Sequence, residues 1–351
     1  MRDAFEDPSP PTVGLEEELM LLDAETLDLA PRAAEALAPL AGDPRFKLEM
    51  PAAQLEIVTA PHPTVAAAAA ELARARADLA AAVAGPFRVA GAGAHPFASG
   101  LGPLNPGERY EAIGAEYAAV AQRQLVFGLH VHVAIRGPDR ALAVYNAMRS
   151  HLPELAALAA NAPFYEGRDS GLASVRSRLS GLLPRQGVPP AFESFDAYEA
   201  ALRWCDFDDP RQWWWELRLH PALGTVEVRV PDTQATVEHT AQVATVVHAL
   251  AIDLAARHDA GEALPVADSW QIDQNRWSAC RHGLAGTMRD LATGRRDETR
   301  DRVAALLERL GVDVPLSDRA ARQREIAADR GLPGLVAWLA DGFVSPAVGP
   351  G

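Results

Sequence analysis

The stretch GTVEVRV, residues 224–230, decides the fold because it alternates like a β-strand with one apolar and one charged face. Its three valines point to one side, and Glu227 and Arg229 point to the other. Valines in every second position indicate a side that packs against a core. The charged side is an ordinary solvated face unless other strands bring partners to it.

Three further strand-like segments, at 12–22, 54–59 and 125–135, also combine an apolar face with a face of charged or polar side chains. Each alternates apolar with polar residues, so its polar side chains share one face. These faces carry Glu16, Glu18, Glu56, His130 and His132. A solvated face would carry lysines and mixed charge, whereas carboxylates collected on one face repel each other unless cations hold them. Oxygen ligands in this number favour Mg²⁺ or Mn²⁺.

The order of the elements predicts the α+β class. Strand signals cluster in the first two thirds of the chain, and the rest is expected to be almost wholly helical up to Leu339. Helices are predicted at 65–84 with Thr64 as the N-cap, and at 108–124, 138–160 (interrupted at Pro153) and 235–258. The Gly- and Pro-rich segment 161–190 is predicted to be a loop with the role of a lid. Tails are expected at 1–11 and 344–351, around a single domain over 12–343.

Composition excludes several classes of protein. The 351 residues are 48% hydrophobic and carry a net charge of −14, which argues against nucleic acid or an anionic membrane as a partner. Cys205 and Cys280 have no metal-site or disulfide spacing. The polar N-terminus lacks an apolar signal segment, and charges interrupt the apolar stretch 65–84. These features favour a cytoplasmic protein.

Six motifs together resemble the carboxylate–amine ligases of the glutamate–cysteine ligase type 2 family. They cover nearly the whole chain in family order: VGLEEELML (13–21), QLEIVTAPH (54–62), GLHVHVAI (128–135), NAPFYEGRDSGLASVRSR (161–178), WWELRLHPALGTVEVRVPD (214–232) and NRWSACRHGL (275–284). The resemblance implies a mainly antiparallel sheet curved into a funnel and backed by helices, a fold related to the catalytic domain of glutamine synthetase.

The resemblance also implies roles for individual residues. Metal ligands would be Glu16, Glu18, Glu49, Glu56, His130 and Glu227, with His132 less suited than His130. Arg229 would lie against the γ-phosphate of ATP and act in catalysis with Glu227. By position rather than by resemblance, Arg168 and Arg176 in the predicted lid and Arg218 on its strand are candidates for binding ATP or substrate, with an ordinary surface role as the alternative. The tryptophans 213–215 are expected to pack in the core and loops rather than to stack on adenine.

The implied reaction is ATP-dependent amide formation with Mg²⁺ or Mn²⁺ as the cofactor. ATP would phosphorylate an amino-acid carboxylate, expected to be that of glutamate, and an amine would attack the acyl phosphate. The expected amine is cysteine, and the expectation includes a low activity on the pair of glutamate and cysteine. Such chemistry needs positioning and charge neutralisation rather than a side-chain nucleophile.

Two other classes of function stay open at this point. A metal-dependent hydrolase could use His130 and His132, although such sites usually have a first shell dominated by histidine. A non-catalytic nucleotide-binding regulator could share the fold. The true substrates and the oligomeric state also stay open, with a homodimer among the options.

Overall fold

An antiparallel sheet of seven strands forms the centre of the protein in the computed structural model, which describes residues 2–7, 10–207 and 210–344. The strands are β1 (Val13–Asp23), β2 (Phe46–Leu48), β3 (Gln54–Val58), β4 (Phe87–Ala90), β5 (Leu129–Ala134), β6 (Phe164–Tyr165), β7 (Arg168–Asp169), β8 (Leu217–His220), β9 (Thr225–Val228), β10 (Thr287–Arg289) and β11 (Arg296–Glu298). The strand order in the sheet is β2-β3-β1-β5-β9-β8, and β4 pairs with the end of β1. Separate hairpins are formed by β6 with β7 and by β10 with β11.

The helices are α1 (Ala33–Ala36), α2 (Val65–Val83), α3 (Glu108–Tyr117), α4 (Pro138–Met148), α5 (Leu152–Ala159), α6 (Arg176–Ser180), α7 (Phe195–Trp204), α8 (Val237–Asp259), α9 (Ser269–His282), α10 (Thr299–Leu310) and α11 (Arg319–Gly342), the last kinked at Gly331. The helices α2, α4 and α8 contact one face of the central strands, and α5, α9 and α10 pack beside them. Helix α11 contacts β4 and joins Met20 and Ala90 in a second apolar cluster.

The apolar face of each strand forms the main hydrophobic core, as the alternation predicts. Leu15 of β1, Ile57 of β3, Val131 of β5 and Val228 of β9 are fully buried in one cluster with α2, α4 and α8. Burial of this apolar surface is the main driving force for the sheet to pack on the helices. The α+β class with a mainly antiparallel sheet is therefore confirmed.

The N-terminal segment differs from the expected tail over 1–11. Asp3–Phe5 form a 3₁₀ helix, and the Phe5 ring is fully buried, with its centroid 5.7 Å from that of Phe195. Gly224, the first residue of the decisive stretch, has φ +63°, and a Cβ there would collide with the carbonyl oxygen of Ala4. Phe5, the one large apolar side chain of the described residues 2–7, thus packs these first residues onto the body of the protein.

The C-terminal third also differs from expectation, because the β10–β11 hairpin interrupts a region predicted to be helical. Short polar strands of this kind lack the apolar alternation that marks a strand in the sequence. The predicted helix over 138–160 is divided into α4, a 3₁₀ turn and α5, and Pro153 lies in the first turn of α5. Proline is tolerated there because the first amides of a helix have no intrahelical partner.

The loop 161–190 contains β6, β7 and α6 and is anchored near its middle. The amides of Ala173 and Ser174 both donate to the carbonyl oxygen of Cys280 on α9. The role as a lid stays a prediction, as does the single domain over 12–343, and all but the first residue of the C-terminal tail lies outside the described residues. Within the described part of the chain, no helix combines the length and apolar character needed to cross a membrane.

Candidate active site

The face of the sheet opposite the valines collects the polar side chains that the sequence singled out. In the antiparallel register, Glu18 lies opposite Glu56, and Glu16 lies opposite His130. Residues opposite each other on one face have Cβ atoms only about 5 Å apart. The register therefore brings side chains from five strands into one site, and its members are Glu16, Glu18, Glu56, His130, His132, Arg218 and Glu227.

Two groups of three side chains in this site have the spacing of metal ligands. Glu16, Glu56 and His130 form one group, with one donor atom of each within 4.8 Å of the others. His130 Nδ1 lies 3.1 Å from Glu16 Oε2. Since Glu16 also belongs to the second group, it bridges the two.

The second group contains Glu16, His132 and Glu227, again within 4.8 Å of one another. His132 Nε2 lies 3.3 Å from Glu16 Oε1 and 3.9 Å from Glu227 Oε1. His132 was ranked below His130 from the sequence, but the structure brings both imidazoles to the carboxylates. The strand alternation that selects His130 also places His132 on the same face.

The electrostatics of the two groups suit a divalent cation. The Nε2 atoms of His130 and His132 are buried and have no hydrogen-bond partner among the described residues. Burial, and then the neighbouring Glu49 and Glu16, raise the pKa of Glu56 well above its usual value. A carboxylate that resists ionisation, placed among other carboxylates and next to two imidazole Nε2 atoms, belongs to a donor set that a cation would neutralise.

Glu18 and Glu49 line the same site without joining either group of three. Glu18 Oε2 accepts a hydrogen bond of 2.5 Å from the Gly128 amide. Glu49 follows β2, and burial together with Glu18 raises its pKa to about 7. Both carboxylates line the adjoining cavity, so they border the region where a substrate would enter.

Two arginines hold Glu227 ionised. Arg218 donates to both carboxylate oxygens, with Nε 2.5 Å from Oε2 and Nη2 3.1 Å from Oε1, and Arg229 Nη1 lies 2.6 Å from Oε1. Burial opposes ionisation of Glu227, but the two guanidinium groups outweigh it and keep the pKa well below the usual value. Arg218 is thus engaged with Glu227, whereas Arg229 also faces the cavity.

The other two predicted arginines lie in different surroundings. Arg176 is buried and donates to the carbonyl oxygens of Val230 and Arg229 at 3.3 and 3.2 Å. A Cβ on Gly128 would collide with its guanidinium, so glycine at this position allows the close packing. Arg176 lines the cavity, whereas Arg168 is exposed on β7 and is not among the described residues that line it.

A cavity of about 540 Å³ opens next to the carboxylates. Its size falls in the range typical of small-molecule sites. The sequence did not single out several of its lining residues, because they come from α3, from the 180–186 segment and from the turn before β8. They include Arg109, Tyr117, Arg185 and Glu216, and a further lining residue, Gln54, comes from β3.

The tryptophan triplet has divided roles. Trp213 is buried in the core, as expected, but Trp214 and Trp215 line the cavity. Glu216 forms an ion pair with the buried Arg276 of α9, in which Arg276 Nε lies 2.7 Å from Glu216 Oε2. The motif 275–284 thus supports the cavity wall from behind, a role that its sequence alone did not reveal.

Comparison with known proteins shows to which family the chain belongs. Residues 12–327 match the family model described as glutamate-cysteine ligase family 2. The chain belongs to this family. A relative from Rubrobacter xylanophilus, provisionally named glutamate–cysteine ligase 2-3, is 36% identical over 360 residues, covering 95% of this chain and 97% of its own. The Haloferax volcanii protein named glutamate–cysteine ligase is 34% identical over 350 residues, covering 93% of this chain and 96% of its own.

The fold of glutamate–cysteine ligases is found here too. The solved structure of the Francisella tularensis glutamate–cysteine ligase, determined in complex with AMP, superposes with a TM-score of 0.70 at 13% identity, covering 96% of this chain and 89% of that one. The fold expected from the motifs is thus confirmed. Family and fold together support a carboxylate–amine ligase.

Proposed function

We propose that this member of glutamate-cysteine ligase family 2 is an ATP-dependent enzyme that joins glutamate to cysteine, with other amino acids as further candidates. The observation that carries the proposal is the pair of ligand groups that share Glu16, placed beside Arg229 at the cavity. Two adjacent groups of carboxylate and imidazole donors next to a guanidinium suit the triphosphate of ATP.

The reaction needs activation because a carboxylate does not react with an amine at neutral pH. The γ-phosphoryl group of ATP is transferred to an oxygen of the acid substrate, and ADP leaves. The nitrogen of the amine then attacks the carbonyl carbon of the acyl phosphate, phosphate leaves with the carbon–oxygen bond pair, and the nitrogen loses a proton. The products are the amide, ADP and phosphate, in balance with the reactants.

The donor set fits Mg²⁺ or Mn²⁺ because carboxylates outnumber imidazoles and cysteine is absent from it. Glu16, Glu56 and His130 would hold one ion, Glu16, His132 and Glu227 would hold another, and Glu18 and Glu49 would line the site. The bound ions would neutralise the phosphate charge during transfer.

Arg229 has the position of a phosphate-binding residue. Its Nη1 is fixed by Glu227 and lies 3.3 Å from His130 Nδ1, and the rest of the side chain faces the cavity. A guanidinium held in this way meets developing charge on the γ-phosphoryl group without reorganisation. Arg176 is proposed to bind an anionic group of the substrate, because it is buried at the cavity without a carboxylate partner among the described residues.

A pairwise screen of amino acids tests the proposal. The purified protein is assayed for ADP release with ATP and Mg²⁺, and the amide is identified by mass spectrometry. We expect ADP and amide in equal amounts, with no ADP release after addition of EDTA or omission of the amine. ADP release that needs no amine would contradict amide formation. Hydrolysis without ATP would instead indicate the hydrolase, and nucleotide binding without ADP release on any pair would indicate the regulator.

A further inference from the structure

Gln54 is a polar residue of the cavity wall that none of the roles above uses. It lies on β3 two residues before Glu56, so both side chains project from the same face of the sheet. Its exposed fraction is 3%, and it lines the cavity together with Glu18 and Glu49. Its Oε1 atom is buried and has no hydrogen-bond partner among the described residues.

An unpaired buried acceptor is unusual because its desolvation is not repaid by a new hydrogen bond. A second glutamine of the same cavity shows the ordinary arrangement. Gln124 Nε2 donates to the carbonyl oxygens of Val120 and Leu179 at 3.2 and 3.4 Å, so its amide is used to hold the fold. The side-chain carbonyl oxygen of Gln54 can therefore accept a hydrogen bond from a molecule bound in the cavity.

The position of Gln54 relative to the two groups of metal-binding side chains limits which bound molecule it can contact. Two residues along a strand span about 7 Å, so Gln54 lies about one amino-acid side chain from the donors around Glu56. An acid substrate whose carboxylate reaches Arg229 and these donors extends its other end toward Gln54. The aromatic side chains suited to a nucleobase, Tyr117 and Trp214, come instead from α3 and the turn before β8.

We propose that Gln54 Oε1 accepts a hydrogen bond from the ammonium group of the acid substrate and so selects amino acids over carboxylic acids that lack this group. The amine substrate is a poorer candidate because its nitrogen must be uncharged to attack. This assignment rests on the proposed ligase function and deepens it, since it names the residue that recognises the substrate class.

The test compares Gln54→Met with the wild type on two acids, the accepted amino acid and its analogue without the ammonium group, which for glutamate is glutarate. The hydrogen bond to a charged group is expected to be worth about 10- to 100-fold in KM. Gln54→Met should raise KM for the amino acid by that factor. Its KM for glutarate and for ATP, and its kcat, should stay within about threefold of the wild type.

Gln124→Met is the matched control because its amide bonds backbone groups instead of facing an open partner. It should lower the melting temperature without changing the preference for glutamate over glutarate. Gln54→Asn keeps a polar carboxamide but shortens the side chain by one carbon, so its carbonyl oxygen no longer reaches the ammonium group. This variant should therefore also raise KM for the amino acid. An equal change of KM for both acids, no change for either, or loss of the fold in both Gln54 variants would overturn the assignment. A wild type that is inactive on every pair would instead contradict the ligase function itself.

Discussion

Carboxylates on the same face of the sheet differ in charge because their nearest neighbours differ. Burial opposes ionisation of Glu227 and Glu16, but arginines outweigh it at Glu227 and hydrogen bonds from the histidines outweigh it at Glu16, so both pKa values are lowered. At Glu56 and Glu49, burial acts together with neighbouring carboxylates, and both pKa values are raised. The need for a cation is thus greatest at the Glu56 end of the site.

Arg229→Lys tests the phosphate-binding role of this residue. Lysine keeps the charge but loses the planar fork that grips phosphate oxygens, so we expect kcat to fall by about 10²-fold with the fold intact. Steady-state ADP release and circular dichroism measure the two effects. Arg168→Lys is the control, because its exposed side chain lies away from the cavity and should leave kcat unchanged. An unaltered kcat in Arg229→Lys would remove this arginine from the catalytic site.

Glu56→Gln and Glu227→Gln should change the stability of the metal-free protein in opposite directions. Glu56 has a raised pKa, so its charge destabilises the folded state near neutral pH, and its removal should raise the melting temperature by about 2 °C or more. Removal of the Glu227 charge leaves Arg218 and Arg229 without their counter-ion and should cost about 3 kcal/mol.

Thermal melts in EDTA measure both variants, and ADP assays with Mg²⁺ should show lost activity in each. Carboxylate repulsion alone would predict that Glu227→Gln melts no lower than the wild type. The two ion pairs give the physical reason for the opposite expectation. A Glu227→Gln variant as stable as the wild type would show that the arginine pairs contribute little.

At the scale of the element, each strand of the site has two faces with separate tasks. On β1, Glu17 points away from Glu16 and Glu18 into the core, where it is fully buried and bonds Arg76 with two 2.8 Å contacts. That ion pair joins β1 to α2, so it is structural, and the strand carries functional carboxylates on one face only. A single-residue slip of register would exchange the two sets.

Val228→Ala tests this division on β9. The side chain is fully buried between the sheet and the helices, so its truncation should cost roughly 1–3 kcal/mol of unfolding free energy. The value of kcat should stay near that of the wild type because the site lies on the other face. Denaturant unfolding and ADP release measure the two quantities. Val266→Ala, at a side chain 53% exposed, is the control and should change stability by less than about 0.5 kcal/mol.

At the scale of the whole molecule, the site exists only when strands distant in sequence are paired. Its donors come from β1, β3, β5 and β9, and the arginines come from β8, from the residue after β9 and from α6 in the 161–190 segment. Binding of a cation to these donors requires the folded sheet, so metal binding and stability are linked.

This linkage predicts how Mg²⁺ binding depends on pH. Protons compete with the cation at Glu56, and protonation of Glu49, whose pKa is about 7 and whose carboxylate lines the site, weakens the attraction for the cation. Below that pH, affinity should fall by up to about tenfold per pH unit for each of the two carboxylates. Calorimetric titration with Mg²⁺ between about pH 6 and about pH 8 measures it, and Glu49→Gln should flatten the dependence. In the metal-free protein the same raised pKa makes stability fall as pH rises toward 7, because the unfolded chain releases this proton more readily. Affinity independent of pH would place both carboxylates outside the binding site.

The sequence alone determined the strands and their faces. The alternation in 224–230 and in β1, β3 and β5 was enough to separate core from site, because the side-chain period of a strand is fixed at two. The motifs, read in order, also predicted the family, and the comparisons confirmed it. Local pattern did not reveal that Phe5 anchors the N-terminus or that β10 and β11 form a hairpin, since neither shows strand or helix periodicity.

Only the tertiary structure decided which side chains meet. Register placed Glu16 between two histidines and joined His132 to Glu227, a proximity that one-dimensional spacing does not encode. Packing turned Arg218 onto Glu227, left Arg168 in solvent and brought Gln54 and Trp214 to the cavity. The physical reason is that a pattern fixes the face on which a side chain projects, whereas its partners depend on how distant strands and loops pack together.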